Sequence, residues 1–254
     1  MQIVDSHCHI HSPEYEFDIN QVYQSAHELG VDKFICIGTD LADSRLAVNF
    51  AISHDNTWSS VGIHPHEADK FNDRQQWAEL TALASMEKVV AIGECGLDYH
   101  YNHSSKKSQR EILEFQMNLA VEQRLPMSFH VRDAFDDFWP IFDNFRGVRG
   151  VLHSFTDSVS NLSKAIDRGL FIGVNGISTF TKDQSQIDMY KQIPLANLIL
   201  ETDAPYLTPA PFRGMMCEPK HIKVIADFLV GLRGETLEDI VSQTTKNVNL
   251  LFRI

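Results

Sequence analysis

The stretch Val89-Val90-Ala91-Ile92-Gly93-Glu94-Cys95-Gly96 sets the reading of the fold. It is a short apolar run rich in Val and Ile, broken by a single carboxylate. A longer segment follows, Lys106 to Arg124, in which Ile112, Phe115 and Leu119 recur at three- and four-residue steps among charged neighbours. The first run reads as a buried strand and the second as an amphipathic helix that turns one face to a core. Apolar side chains at consecutive rather than alternate positions mean that both faces of the strand are covered, as in a parallel sheet flanked by helices.

Working outward, the same strand-then-helix pattern runs along the whole chain. The other strand candidates are Gln2 to His9, Lys33 to Gly38, Trp58 to His64, Pro126 to Val131, Gly150 to Phe155, Leu170 to Gly176 and Leu198 to Asp203. Helical stretches lie near Asn20 to Leu29, Ser44 to Ser53, Arg74 to Ser85, Ser158 to Arg168 and Asp183 to Gln192. Eight strands alternating with helices in 254 residues predict an α/β fold, a (β/α)8 TIM barrel, with extra C-terminal helices from Glu218 onward. A doubly wound open sheet is the alternative architecture, but no G-x-G-x-x-G turn follows the first strand. No Gly-, Pro- or Ser-rich linker marks a boundary, so residues 1–254 read as a single barrel domain.

The formal net charge of -12 disfavours tight non-specific wrapping of a polyanion, so any nucleic-acid chemistry has to be local. Cys8, Cys36, Cys95 and Cys217 are far apart and form no C-x-x-C pair, which argues against a zinc knuckle or a disulfide framework and for a reducing compartment. The N-terminus, Met1-Gln2-Ile3-Val4-Asp5, lacks a signal-peptide pattern, and no run of about 18 apolar residues occurs. The expectation is a cytoplasmic protein with no membrane association and no obligate protein partner.

The polar residues that carry chemistry fall at the predicted strand ends, where such a barrel keeps its active site. His7 and His9 are two apart on the first strand and project to the same side, with Cys8 pointing away. His64 ends the third strand, Glu94 lies near the end of the fourth, His130 ends the fifth, His153 the sixth and Asp203 the eighth. One such histidine is ordinarily a packed or solvated residue; several imidazoles and carboxylates buried together need a partner, and a cation supplies it. Imidazole and carboxylate without thiolate suit Zn²⁺, Mn²⁺ or Mg²⁺. His7, His9, Glu94, His130, His153 and Asp203 exceed the three protein ligands usual at a mononuclear catalytic zinc, which predicts two divalent metal ions, with Glu94 as the bridge.

At this point the chain resembles the TatD family of metal-dependent deoxyribonucleases, within the amidohydrolase-like barrel superfamily. The segments that carry the resemblance are Asp5-Ser6-His7-Cys8-His9, Gly62-Ile63-His64-Pro65-His66, Ile92-Gly93-Glu94-Cys95-Gly96-Leu97-Asp98-Tyr99, His130-Val131-Arg132-Asp133-Ala134, His153-Ser154-Phe155 and Glu201-Thr202-Asp203-Ala204-Pro205-Tyr206-Leu207. The resemblance implies one metal on His7, His9, Glu94 and Asp203 and a second on Glu94, His130 and His153. It also implies phosphodiester hydrolysis, often from a 3′ end, with His64 near the substrate phosphate. Two positions depart from the family, Ser154 where many relatives have Cys and Cys217 where many have Asn, and neither is among the implied ligands.

The reaction expected is attack by a water that two cations activate, with Asp203 accepting its proton and the cations offsetting the acidity of the chain. Arg132, Arg213 and His64 are the expected phosphate contacts, and Glu201 is expected to support the site from behind. For Arg132 the alternative is an ion pair with Asp133 or Asp136. Lys106, Lys107 and Arg110 read as a solvated charge cluster, while Tyr99, Tyr206 and Phe212 are candidates for base stacking. The expected substrate is a nucleic acid, single-stranded or at the 3′ ends of DNA, bound transiently. Two rivals stand beside it: an amidohydrolase-type enzyme acting on a small ester, lactone or amide, and a fold that keeps its metals for stability or partner binding.

Overall fold

A computed structural model describes residues 2–14 and 18–254; Met1, where the N-terminal reading begins, lies outside them. All eight strands belong to one sheet and follow one another in sequence order. They are β1 (Ile3–Cys8), β2 (Val31–Ile37), β3 (Thr57–Val61), β4 (Val89–Asp98), β5 (Met127–Arg132), β6 (Gly150–Leu152), β7 (Phe171–Val174) and β8 (Leu198–Leu200). The helices among the described residues are α1 (Ile19–His27), α2 (Leu41–Ser53), α3 (Arg74–Ala84), α4 (Lys106–Gln123), α5 (Phe135–Asp143), α6 (Val159–Asp167), α7 (Gln184–Gln192), α8 (Ile222–Arg233) and α9 (Leu237–Phe252). Each strand but the last is followed by a helix before the next strand, and α8 and α9 follow β8. This is the (β/α)8 TIM barrel with additional C-terminal helices that the sequence predicts.

The chain divides into two compact units, Met1–Ile35 with Ser154–Ile254, and Cys36–His153. In the first unit the last strand returns to the first. Cys8 and Ala204 form a parallel bridge, and Asp203 N donates to His7 O at 2.8 Å. Its core gathers Ile3, Val4, Ile199, Leu200, Ile225, Leu229, Ile240 and Val248, all buried. In the second unit β3, β4, β5 and β6 pair in parallel. Ala91, Ile92 and Leu97 of β4 are fully buried, as covered faces on both sides require.

Helix α4 shows how a local sequence positions the second unit's polar residues. Ser105 caps it by accepting from Ser108 N, and Arg124 ends it at φ 59°. Its buried stripe contains two amides that the periodicity of apolar residues does not mark. Gln109 accepts from Asp98 N at 2.8 Å and donates to Asp98 O at 3.0 Å. Gln116, one residue in the next two turns of the same stripe, does the same to Ile63 N at 2.8 Å and Ile63 O at 3.0 Å. One helix face thereby fixes the backbone at the end of β4 and immediately before His64. Gly96, at φ 148°, pairs with His130 across β4 and β5, and a Cβ there would run into the His130 carbonyl.

Two differences from the sequence reading have physical causes. Helix α5 lies outside the segments that periodicity marks, because Phe135-Asp136-Asp137-Phe138-Trp139-Pro140-Ile141-Phe142 is nearly continuous in aromatic and apolar residues and carries an internal proline. Strands β3, β6 and β8 stop at Val61, Leu152 and Leu200, so His64, His153 and Asp203 lie beyond them rather than as their last residues. The backbone turns out of the sheet there: Ser154 and Asp203 have φ 49° and 60°, and His64 caps a 3-10 turn over Pro65–Lys70. Strand β4 instead continues four residues past Glu94, to Asp98.

Replacing Gln116 by Leu keeps the volume but leaves the buried N–H and C=O of Ile63 unmatched. Urea denaturation of Gln116→Leu is expected to show a loss of about 2 to 4 kcal/mol, and an unchanged midpoint would show that water or a shifted backbone replaces the amide.

Candidate metal centre

In the first unit the site begins with the parity of β1. Asp5, His7 and His9 alternate onto one face. The Nε2 atoms of His7 and His9 approach to 3.2 Å, and Asp203 Oδ1 lies 3.6 Å from the first and 3.4 Å from the second. Cys8 points elsewhere, its sulfur 3.5 Å from Ile35 O. Asp203 is held by its own backbone, since its N–H reaches His7 and its carbonyl accepts from Tyr206 N at 2.7 Å.

These three atoms form a triangle whose edges suit coordination. A tetrahedral ion with ligands at about 2.1 Å has ligand edges of about 3.4 Å. Two imidazole nitrogens and a carboxylate oxygen at 3.2, 3.4 and 3.6 Å therefore fit one divalent cation, and their chemistry excludes a thiolate-selective one.

Asp5 was legible only as part of a motif, yet it braces this set. It is fully buried and accepts from Thr202 N at 2.9 Å and Thr202 Oγ1 at 2.5 Å. Burial pushes its carboxyl up to about 8, against the pull of the Thr202 and His7 hydrogen bonds. Asp5 thus ties β1 to the segment that presents Asp203. Glu201 is also buried; its Oε1 accepts from Ser154 N at 2.7 Å and from Asn175 Nδ2 at 3.3 Å. Gly173 leaves the room that this carboxylate occupies. Cys217 is buried, and burial raises its thiol far above the ordinary range.

In the second unit Glu94 is the hub. Its Oε1 is 3.0 Å from His130 Nδ1, 3.5 Å from His64 Nε2 and 3.9 Å from His153 Nε2. Ligand atoms of His64, Glu94 and His130 lie within 4.8 Å of one another, a spacing that can hold a cation. Burial opposes the Glu94 charge, but His64, His153 and His130 outweigh it and keep the carboxylate well below its usual range. Cys95 beside it turns away, with Sγ 3.7 Å from Ser128 O.

His130 is gripped from both sides. Its Nδ1 faces Glu94, while its Nε2 is 3.0 Å from Asp98 Oδ2, which also meets His66 Nε2 at 2.9 Å. Burial lowers the His130 pKa and the two carboxylates raise it, with the carboxylates prevailing. Asp98 Oδ1 accepts from His100 N at 2.9 Å and Tyr101 N at 3.0 Å, so the carboxylate cannot swing away. A histidine with one nitrogen toward a metal position and the other toward a carboxylate is the arrangement that fixes a ligand's tautomer. Asp98 and His66 were not given roles from sequence. The signal available was parity, Asp98 sharing its face of β4 with Glu94.

His64 differs from His130. Burial brings it down to about 4 despite Glu94, so the ring is neutral at pH 7. Because His66 N donates to His64 Nδ1 at 3.2 Å, the proton is carried on Nε2, which points toward Glu94.

The expected phosphate contacts are arranged as follows. Arg132 is exposed and pairs with neither Asp133 nor Asp136; its guanidinium lies 4.7 Å from the centre of the Tyr101 ring. Arg213 stacks on Phe180 at 3.9 Å and donates to Thr208 O at 2.9 Å. Tyr99 gives its hydroxyl to Asp137 at 2.6 Å with Lys106 over its ring, and Phe212 stacks on His221. Both rings are therefore engaged, and Tyr206, half exposed, meets His9 edge-on.

A family model described as TatD related DNase matches residues 4–253. The chain belongs to the TatD family. It is similar to a metal-dependent hydrolase of Bacillus subtilis, YabD, at 34% identity over 99% of both chains. It is also similar to a Salmonella typhimurium protein named as the 3′-5′ ssDNA/RNA exonuclease TatD, at 32% identity over 96% of both. Among solved structures, the TatD homologue YjjV of Escherichia coli superposes with a TM-score of 0.92 at 27% identity, covering 99% of this chain and 98% of that one. The protein is thus a TatD-type metal-dependent hydrolase, and the residues above are its candidate metal ligands.

If Asp98 orients His130, Asp98→Asn is the discriminating change. The amide keeps Oδ1 but puts an N–H₂ where two imidazoles now meet Oδ2, so His130 must move its proton to Nδ1, the atom that faces Glu94. Calorimetric titration with Mn²⁺ or Zn²⁺ is expected to show affinity about 10- to 100-fold weaker in a normally folded variant. Equal affinity in the two proteins would remove Asp98 from the site.

Proposed function

We propose that this TatD-family hydrolase is a nuclease that removes nucleotides from the 3′ ends of single-stranded DNA. Its relatives named as 3′-5′ ssDNA/RNA exonucleases, at 32% and 34% identity over 96% of the chain, support the substrate class. The observation that carries the mechanism is that each unit supplies its own imidazole and carboxylate set: His7, His9 and Asp203 in one, and Glu94, His130 and His153 in the other.

In this reading each set would hold one divalent cation, with Glu94 among the ligands. The cations would supply a lowered pKa for the attacking water and positive charge for the phosphoryl oxygens. Asp203 takes the water's proton on its carboxylate. His64, neutral and protonated on Nε2, donates a hydrogen bond to a phosphate oxygen, and its low pKa keeps it from competing as a cation. Arg132 and Arg213 offer guanidinium donors to the flanking phosphates. Residues 1–254 act as one domain. Four buried cysteines, far apart in the sequence, favour a reducing compartment such as the cytoplasm, and no helix of the described residues is long and apolar enough to cross a membrane.

A 3′-labelled single-stranded oligonucleotide tests the reading. With Mg²⁺, Mn²⁺ or Zn²⁺ supplied, label release is expected from wild type, abolished by EDTA and restored by the cation. Glu94→Gln, at matched folding, should be slower by at least about 100-fold. Full activity in Glu94→Gln would end the assignment of that carboxylate. No cleavage of any strand, together with turnover of an ester, lactone or amide panel, would move the protein to the small-molecule reading.

A further inference from the structure

The loop after β4, residues 99–105, holds aromatic side chains in solvent on a rigid frame. Tyr101 is 51% exposed. The loop is nevertheless pinned at several points. Tyr101 N donates to Asp98 at 3.0 Å, Ser104 Oγ donates to His66 O at 2.7 Å, and Ser105 N donates to Asp69 at 3.0 Å.

Around the Tyr101 ring the neighbours are cationic or aromatic. His103 is nearly parallel to it, with an interplanar angle of 17° and centroids 5.8 Å apart, and is itself exposed. His66 and His100 meet it edge-on at 5.6 and 4.8 Å. The Arg132 guanidinium lies 4.7 Å from its centre. Nearby carboxylates are already matched: Asp98 by His66 and His130, Asp133 by His100 at 3.0 Å, and Asp137 by the Tyr99 hydroxyl and Arg110. Among the described residues Arg132 pairs with no carboxylate, so its planar donors remain for an anion.

An exposed ring, a second ring nearly parallel to it and an unspent guanidinium match the chemistry of one nucleotide with an unpaired base. The face of the Tyr101 ring that Arg132 does not cover takes the base, and the guanidinium lying over the other face takes a phosphate oxygen. We infer that Tyr101, with His103 and Arg132, forms a stacking subsite for an unpaired base of the substrate strand. This rests on the nuclease reading and deepens it, because a base inside a duplex cannot present its face to such a ring. The subsite therefore favours single strands.

Binding of a fluorescent single-stranded oligonucleotide with non-hydrolysable phosphorothioate linkages, read by anisotropy on the metal-loaded protein, tests the inference. Tyr101→Ala is expected to weaken binding roughly tenfold, Tyr101→Phe to match wild type, and Tyr101→Leu, which keeps bulk without a π-face, to behave like the alanine variant. Introducing one abasic site at a time into the oligonucleotide should reveal a position where wild type loses the same factor and Tyr101→Ala loses nothing further. Tyr101→Leu equal to Tyr101→Phe, or no abasic position coupled to Tyr101, would overturn the subsite while leaving the nuclease reading intact. A wild-type protein that neither binds nor cleaves the strand would overturn both.

Discussion

Much of the second unit's chemistry depends on one imidazole held between two carboxylates, His130 between Glu94 and Asp98 at 3.0 Å on each side. A lone buried carboxylate costs several kcal/mol, and two of them facing one ring are tolerable only because the ring can carry charge or be replaced in that role by a cation. The consequence is a fixed geometry. The imidazole cannot rotate without breaking one of the two contacts, and Asp98 cannot yield because its other oxygen accepts two backbone amides.

The same logic operates in the first unit with different parts. There two imidazole nitrogens 3.2 Å apart share one carboxylate, and the support comes from Asp5, a buried carboxyl whose pKa burial pushes up to about 8. Asp5 braces the strand by accepting from the backbone of His7 and from both Thr202 donors. The carboxylate nearest the two imidazoles is that of Asp203.

The support for both sets comes from uncharged or satisfied groups further out. Gln109 and Gln116 of α4 hold the backbones at Asp98 and Ile63, Thr202 holds Asp5, and Ser154 and Asn175 hold Glu201. Hydrogen bonds of this kind contribute modestly one at a time but set positions, and position is what a coordination site and a positioned water require.

The sequence by itself determined the order of the eight strands and marked the residue types of the candidate metal site, because periodicity is local and because His7, His9, Glu94, His130, His153 and Asp203 stand next to apolar runs that name their strands. Parity alone put His7 and His9 on one face. Tertiary structure decided what depends on neighbours distant in the chain: that β4 runs on to Asp98 and that Asp98 joins His66 to His130. It likewise decided that Arg132 lies on Tyr101 instead of an acidic neighbour, and that an aromatic, proline-containing segment is helix α5. A hydrogen bond between side chains 32 positions apart leaves no trace in local spacing, since either residue alone is compatible with a solvated surface; only the fold brings the second partner within reach.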